Sequence, residues 1–352
     1  MRVLQIIDSL HPGGAEKMAV NLYNELNKYG VECFLCATRE EGLLKTEIVD
    51  FSNYLFLKKR KSIDFKAISS LYSFIRSKKI DIIHAHGTSY FIAFLIKIAS
   101  KKKVRLIWHD HYGNSEFLKD RPYKILKFCS KFFDGVVCVN KELLIWCKAN
   151  LLANKYLIIN NFVSLPDGNV DSLQLNGSQS IKLICVANLR AQKDHHFLLQ
   201  VFSEIVNDDL SLPLFGKDFH DTYSREIKKQ INYANNVYYY GSKKITKAIL
   251  QQANVGVLVS KSEGLPLAVL EYGMAGLPVI CTQVGECPEI IDKLGILVPS
   301  GDNISLKKAI KSYSADEKLR NRDGKRFRAK VLDRYSAEKN IKEFIDFYQK
   351  CN

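Results

Sequence analysis

The chain has 352 residues, 47% apolar and 25% charged, with a net charge of +15. That size and balance predict a globular protein of two domains, and eight prolines exclude a long disordered linker. The longest apolar stretch, Tyr90 to Ala99, already holds Lys97 and falls short of the ~20 residues that cross a bilayer, while the basic excess points to phosphorylated, lipid or nucleic-acid partners.

Val3–Ile7 opens the chain as a strand and not as a secretory signal, because the apolar run is short and polar and glycine residues follow at once. An amphipathic helix is predicted over Ala15–Lys28, with Met18, Leu22 and Leu26 on one face and Tyr29-Gly30 closing it. Further strands are expected at Val31–Ala37, Ile80–Ala85, Val104–Trp108 and Gly135–Val139, between helices near Asp64–Ser77, Tyr90–Ala99 and Tyr123–Phe132. The rhythm breaks in a polar, turn-rich stretch from Asn160 to Ser180. It resumes with strands at Ile181–Ala187, Leu210–Phe215, Val237–Tyr240, Val255–Val259, Val279–Thr282 and Gly295–Val298. Helices are expected near Lys193–Val206, Asp221–Tyr233, Thr246–Ala253 and around Glu271, and a last one at Ala337–Tyr348 follows the candidate cap Ser336. Such alternation predicts two Rossmann-like α/β halves with parallel sheets facing a cleft, and ligands at the carboxyl ends of the strands.

The nine cysteines are scattered, several inside apolar runs such as Val137-Cys138-Val139, which suits reduced core thiols in a cytosolic protein. Cys33 and Cys36 have C-x-x-C spacing, but they fall in a predicted strand and no second pair has zinc spacing.

The run Ser262-Glu263-Gly264-Leu265-Pro266 through Glu271 is the most informative. Pro266 suits the first helical position. The preceding Gly264 and Leu265 would turn backbone amides and the positive end of a helix dipole toward a phosphate. Glu263 is expected on a rim loop and Glu271 inside the helix, so that the two carboxylates can hold the hydroxyls of two sugars on either side of that phosphate. After the second half's first strand, Arg190 and Lys193 offer two cations to a diphosphate. Gly13-Gly14, between a strand and a helix, would let a ligand approach backbone amides. It is neither a G-x-G-x-x-G nor a G-x-x-x-x-G-K-[ST] loop. His84 and His86, with His109 and His111, follow apolar strands and are expected at one sheet edge, where imidazoles can bond sugar hydroxyls or exchange protons near neutral pH. No further ligands at matching spacing suggest a metal there. His195-His196 reads as an ordinary helix face. The segments Tyr90–Lys103 and Leu118–Phe133 are basic and aromatic; the second, with Lys119, Arg121, Lys124, Lys127 and Lys131, could lie on an anionic membrane or simply cover the sheet.

Together these motifs resemble the retaining family 4 glycosyltransferases of the GT-B fold, nearly end to end. Glu263 and Glu271 match the family's E-x7-E, followed by Ala275-Gly276-Leu277-Pro278-Val279, Pro288-Glu289-Ile290-Ile291 and Gly295 to Asp302. Gly13-Gly14-Ala15-Glu16 resembles its N-terminal loop and Asn160-Asn161-Phe162-Val163 its crossover. The resemblance implies an acceptor-binding domain over 1–165, a donor domain over 166–335 and a helix at 336–352 returning toward the first domain. It implies Lys193 on the donor diphosphate, Glu263 on the donor sugar, Glu271 on the ribose, and His109 or His111 on the acceptor side beside His84 and His86. His109, Glu263 and Lys193 would form the catalytic set. Transfer would retain configuration without a metal, Lys193 and helix amides stabilising the departing diphosphate; no D-x-D motif is present. Asn188 stands where the family has an arginine before Lys193, and Glu286 where glycine is common.

The expected activity is therefore transfer from a nucleotide sugar to a glycan or lipid-linked acceptor in bacterial cell-surface polysaccharide synthesis. The enzyme is expected in the cytoplasm at the inner face of the membrane, with no cofactor and no nucleic-acid partner. The alternatives are another GT-B activity, such as a nucleotide-sugar epimerase, and a non-catalytic sugar- or polyanion-binding protein.

Overall fold

The computed structural model describes residues 1–101, 104–113, 115–165, 173–205 and 209–351. The chain divides into two units, one of Met1–Phe162 with Ala337–Asn352 and one of Val163–Ser336.

The first unit holds β1 (Arg2–Ser9), α1 (Gly14–Lys28), β2 (Glu32–Glu40), β3 (Tyr54–Phe56), α2 (Phe65–Ser77), β4 (Ile82–His86), α3 (Tyr90–Ala99), β5 (Arg105–Asp110), α4 (Lys124–Ser130), β6 (Gly135–Cys138), α5 (Lys141–Asn150) and β7 (Tyr156–Ile158). Its seven strands are parallel in the order β3-β2-β1-β4-β5-β6-β7. The chain starts in the middle and winds outward both ways, so the order reverses between β1 and β4, where such sheets leave a crevice. β1 is buried on both faces, as a central parallel strand must be. Its one polar core residue is Gln5. Pairing sets Gln5 opposite His84 and His86 opposite His109, so side-chain alternation collects them on one face. The last helix, α13 (Ala337–Lys350), supplies Ile341, Phe344, Phe347 and Tyr348 to the same core cluster as Val3, Ile7, Ile82 and Ile107.

The second unit runs β8 (Ile181–Val186), α6 (His195–Ser203), β9 (Leu210–Phe215), α7 (Thr222–Tyr233), β10 (Val237–Tyr239), α8 (Lys247–Leu250), β11 (Val255–Leu258), α9 (Leu267–Ala275), β12 (Val279–Thr282), α10 (Cys287–Ile291), β13 (Ile296–Val298), α11 (Asn303–Ala315) and α12 (Glu317–Tyr335). Its sheet is parallel, in the order β10-β9-β8-β11-β12-β13, and reverses between β8 and β11. Helices α7, α8, α11 and α12 begin on side-chain caps from Asp221, Thr246, Asp302 and Asp316. α9 is fixed to the sheet through Tyr272. Its ring lies so close to β11 that a Cβ on Gly256 would stand 2.3 Å from it, and its hydroxyl accepts the Val186 amide at the end of β8.

All nine cysteines are free and buried, and Cys33 and Cys36 are built into β2. Among the described residues no helix is long and apolar enough to cross a membrane.

Candidate functional site

The loops leaving β8 and β11, neighbours at the reversal of the second sheet, are tied together residue by residue. The Lys261 amide donates to the Gln192 carbonyl, the Gln192 side chain donates to the Ser262 carbonyl, and Lys261 Nζ lies 3.2 Å from Asp194. Asp194 adopts φ +50° as the chain turns from a short 3-10 segment into α6. This lacing brings Lys193 Nζ to 2.5 Å from Glu263 Oε1, which also accepts from Ser260 Oγ at 2.5 Å. The expected partners thus meet, but Glu263 does not stand on an open rim. It is 5% exposed, covered by the lysine, whose side chain keeps 22% of its surface. A buried carboxylate needs such a partner, because removing an ion from water without one costs several kcal/mol.

Pro266 caps α9 and does not occupy its first turn; the helix begins at Leu267, with Glu271 one turn inside and 7% exposed. Gly264 gives its carbonyl to the Glu286 amide. Gly285, at φ +50°, lies so close to the Glu263 carbonyl that a Cβ there would sit 2.1 Å from it. Glu286 therefore occupies the position that clamps the Glu263 loop. Arg190 is exposed and stacks on Phe219 at 4.4 Å; Lys217 Nζ lies 5.1 Å from the same ring. Asn188, standing where an arginine was expected, accepts the Lys217 amide at 2.8 Å. Lys217 and Phe219 were missed from sequence, although Gly216-Lys217 follows β9 as Arg190 follows β8. A cavity of about 410 Å³ lies by the far end of α9, lined by Lys247, Gly276, Asn321, Lys325 and Arg328, and none of the carboxylates above borders it.

In the first unit Asp8, near the end of β1, accepts from Thr38 on β2 and from Thr88 just beyond β4 at 2.6 Å, fastening the strand ends around the crevice. Gly13 is extended, and a side chain at Gly14 would meet nothing within 4 Å. The glycines are thus not required by strain: Gly14 leaves room over the start of α1, whereas the place of a Cβ on Gly13 is taken by the Glu16 carboxylate, 2.3 Å away.

His86 and His109 lie at the ends of β4 and β5, with His111 just beyond, as expected, whereas His84 lies mid-strand opposite Gln5. His84, His86 and His109 have no exposed surface and only His111 is half-buried. Tyr348 on α13 lies 2.6 Å from His84 Nδ1, Gln5 Oε1 2.9 Å from His86 Nε2, and His111 Nε2 2.9 Å from His86 Nδ1. Burial pushes His84 and His111 down to about 3, and burial followed by the neighbouring imidazoles holds His86 and His109 well below the usual range. The expectation of proton exchange near neutral pH therefore fails: a desolvated imidazole surrounded by others stays neutral.

The basic segment also needs correction. Arg121 is not on an outer face but buried, paired twice with Asp110 at 2.7 and 2.8 Å and held 4.3 Å from both the Tyr112 and Trp146 rings. Lys97 is likewise buried on Asp134. Lys124, Lys127 and Lys131 are exposed, beside Ile125 and Phe128 at 63% and 55%.

Two parallel doubly wound units, the second presenting a cation–carboxylate pair where its strand order reverses, define a GT-B glycosyltransferase. The family model for Glycosyl transferases group 1 matches residues 173–330 and that for Glycosyltransferase Family 4 matches residues 12–165, and the chain belongs with the family 4-like glycosyltransferases. It is 24% identical to N-acetyl-alpha-D-glucosaminyl L-malate synthase of Bacillus anthracis, over 81% of this chain and 78% of that protein. It is 24% identical to UDP-Gal:alpha-D-GlcNAc-diphosphoundecaprenol alpha-1,3-galactosyltransferase of Escherichia coli, over 81% and 79%. Anabaena HepE, solved in complex with UDP and glucose, superposes with a TM-score of 0.80 at 14% identity, covering 99% of this chain and 100% of that one.

Proposed function

We propose that this enzyme transfers a sugar from a nucleotide-diphosphate donor, with retention of configuration, to a glycan or lipid-linked acceptor in bacterial cell-surface polysaccharide synthesis. The observation that carries the reading is the Lys193–Glu263 pair on two laced loops at the strand-order reversal, with Glu271 one turn into the adjoining helix. Lys193 donates one of its three ammonium hydrogens to Glu263, and the others are directed to the diphosphate. Arg190 and Lys217 add positive charge beside it. Glu263 then bonds the donor sugar and Glu271 the ribose, while Gly264 and Leu265 carry the chain into the helix. As the glycosidic bond breaks, charge grows on the leaving diphosphate, and these fixed cations and the amides of α9 stabilise it without a metal. Gly14 leaves open space over the start of α1. Of the four histidines only His111 has exposed surface, so it is the one that can border the acceptor, by its ring edge and not by a free nitrogen, since Nδ1 is buried and Nε2 faces His86. His109, with its ring centroid 3.9 Å away, supports it from behind.

The names of the relatives, one of them using a UDP-galactose donor and a diphosphoundecaprenol-linked acceptor, favour this acceptor class. The exposed Lys124, Ile125, Lys127, Phe128 and Lys131 suit peripheral contact with an anionic membrane, where a lipid-linked acceptor would be met. The test is a thermal-shift screen of nucleotide sugars followed by product analysis. One donor should raise Tm and yield an α-linked product from an α-linked donor. Stabilisation without transfer to any acceptor would support the binding-protein alternative, and an isomerised donor would support the epimerase.

A further inference from the structure

The buried imidazoles of the first unit have more unsatisfied nitrogen than their neighbours can serve. His84 Nε2, both ring nitrogens of His109 and His111 Nδ1 are buried and meet no hydrogen-bond partner. Buried polar atoms are nearly always paired, and four orphans in one cluster call for a missing ligand. One ligand atom from each of His84, His86 and His109 lies within 4.8 Å of the others. His111 adds a fourth imidazole, with Nε2 already 2.9 Å from His86 Nδ1.

We propose that His84, His86 and His109, with His111 as the fourth ligand, bind a divalent transition-metal ion of the zinc class. An all-imidazole set suits zinc, copper or nickel and disfavours magnesium and calcium, which take oxygen ligands. Nitrogens on one tetrahedral zinc, each ~2.0–2.1 Å from the ion, stand about 3.3–3.4 Å apart. The His86–His111 contact is already that short. The others close by turning the rings about χ2, a soft torsion, which opens the parallel pose of His84 and His86.

The outer contacts that orient ligating histidines are in place. Gln5 directs its amide nitrogen to Tyr348 and Cys33, so its oxygen faces His86 Nε2 and leaves Nδ1 for the ion. The Tyr348 oxygen faces His84 Nδ1 and leaves Nε2, the orphaned atom, for the ion. The ion would tie β4, β5 and, through Tyr348, α13 into one body. This site lies in a different unit from Lys193, Glu263 and Glu271, so it stands or falls separately from the donor reading.

The test uses the full chain without a histidine tag, stripped by chelator, loaded with zinc, desalted and analysed by elemental mass spectrometry. The wild type should retain one zinc per chain and gain in Tm on loading. His220→Gln, an exposed histidine on the other unit, should retain it; His84→Gln should lose it; Tyr348→Phe should bind at least about tenfold more weakly. Should His84→Gln fail to fold by circular dichroism, cobalt-loaded wild type decides. Intense visible absorption from a tetrahedral nitrogen site supports the proposal, and the weak spectrum of an octahedral ion overturns it. Absence of retained zinc, or retention that follows His220 and not His84, also overturns it.

Discussion

Replacing Lys193 by alanine should injure stability and donor binding by separate routes. The lysine is the counter-ion of a carboxylate that is 5% exposed. Removing one member of a fully buried pair costs ~3–5 kcal/mol, and because the Lys193 side chain keeps 22% of its surface, entering water reduces this to about 2–3 kcal/mol. For a unit of this size that lowers Tm by roughly 5–10 °C. Removing both charges in Lys193→Met/Glu263→Gln leaves no uncompensated ion, and stability should return to within about 1 kcal/mol of wild type. Donor affinity should not return: a hydrogen bond from a charged group to the diphosphate is worth ~1.5–3 kcal/mol, so both variants bind at least about tenfold more weakly. Scanning calorimetry, read on the transition of the second unit because a two-unit chain need not melt in one step, gives the first quantity. Titration with the nucleotide sugar gives the second. A single variant as stable as wild type, or a double variant as unstable as the single, would refute the ion pair described here.

Gly256→Ala should destabilise the second unit by ~1–3 kcal/mol, because its Cβ meets the root of the buried Tyr272 ring; a Tm equal to wild type would show that α9 is not held as described. Turnover should persist after chelation of magnesium and manganese. Loss that either ion restores contradicts a metal-free diphosphate site, whereas loss that only zinc restores points to the histidine cluster. Vesicles rich in anionic lipid should sediment the protein in low salt and release it in high salt, and Phe128→Ser with Lys127→Glu should abolish the effect. Sedimentation unchanged in that variant would remove α4 as the docking face.

The strands were legible because buried parallel strands are short continuous apolar runs: Leu210–Phe215 and Val279–Thr282 stand where the sequence puts them. α12 was not, although it is 19 residues long. Most of it is charged, and only a narrow stripe through Asp323, Gly324, Phe327, Val331 and Tyr335 is buried. β3 and β7, three residues each at the sheet edges, were not read from sequence, although the equally short edge strands β10 and β13 were. At the site, the motif gave Lys193 and Glu263 but not their contact, which depends on β8 and β11 being neighbours. His86, His109 and His111 stand at the strand ends the sequence predicts and His84 does not, and the burial of the cluster comes from a sheet face shared with α13, whose Tyr348 is 264 residues from His84. Nothing local in Ile82–His86 announces that partner.

Calorimetric titration of the stabilising nucleotide sugar into wild type and Glu271→Ala tests the central claim most directly. If Glu271 holds the ribose from α9, the variant should keep its fold and bind the donor at least about tenfold more weakly, as expected when a charged hydrogen-bonding partner is lost. Equal affinity in the two proteins would contradict the donor site.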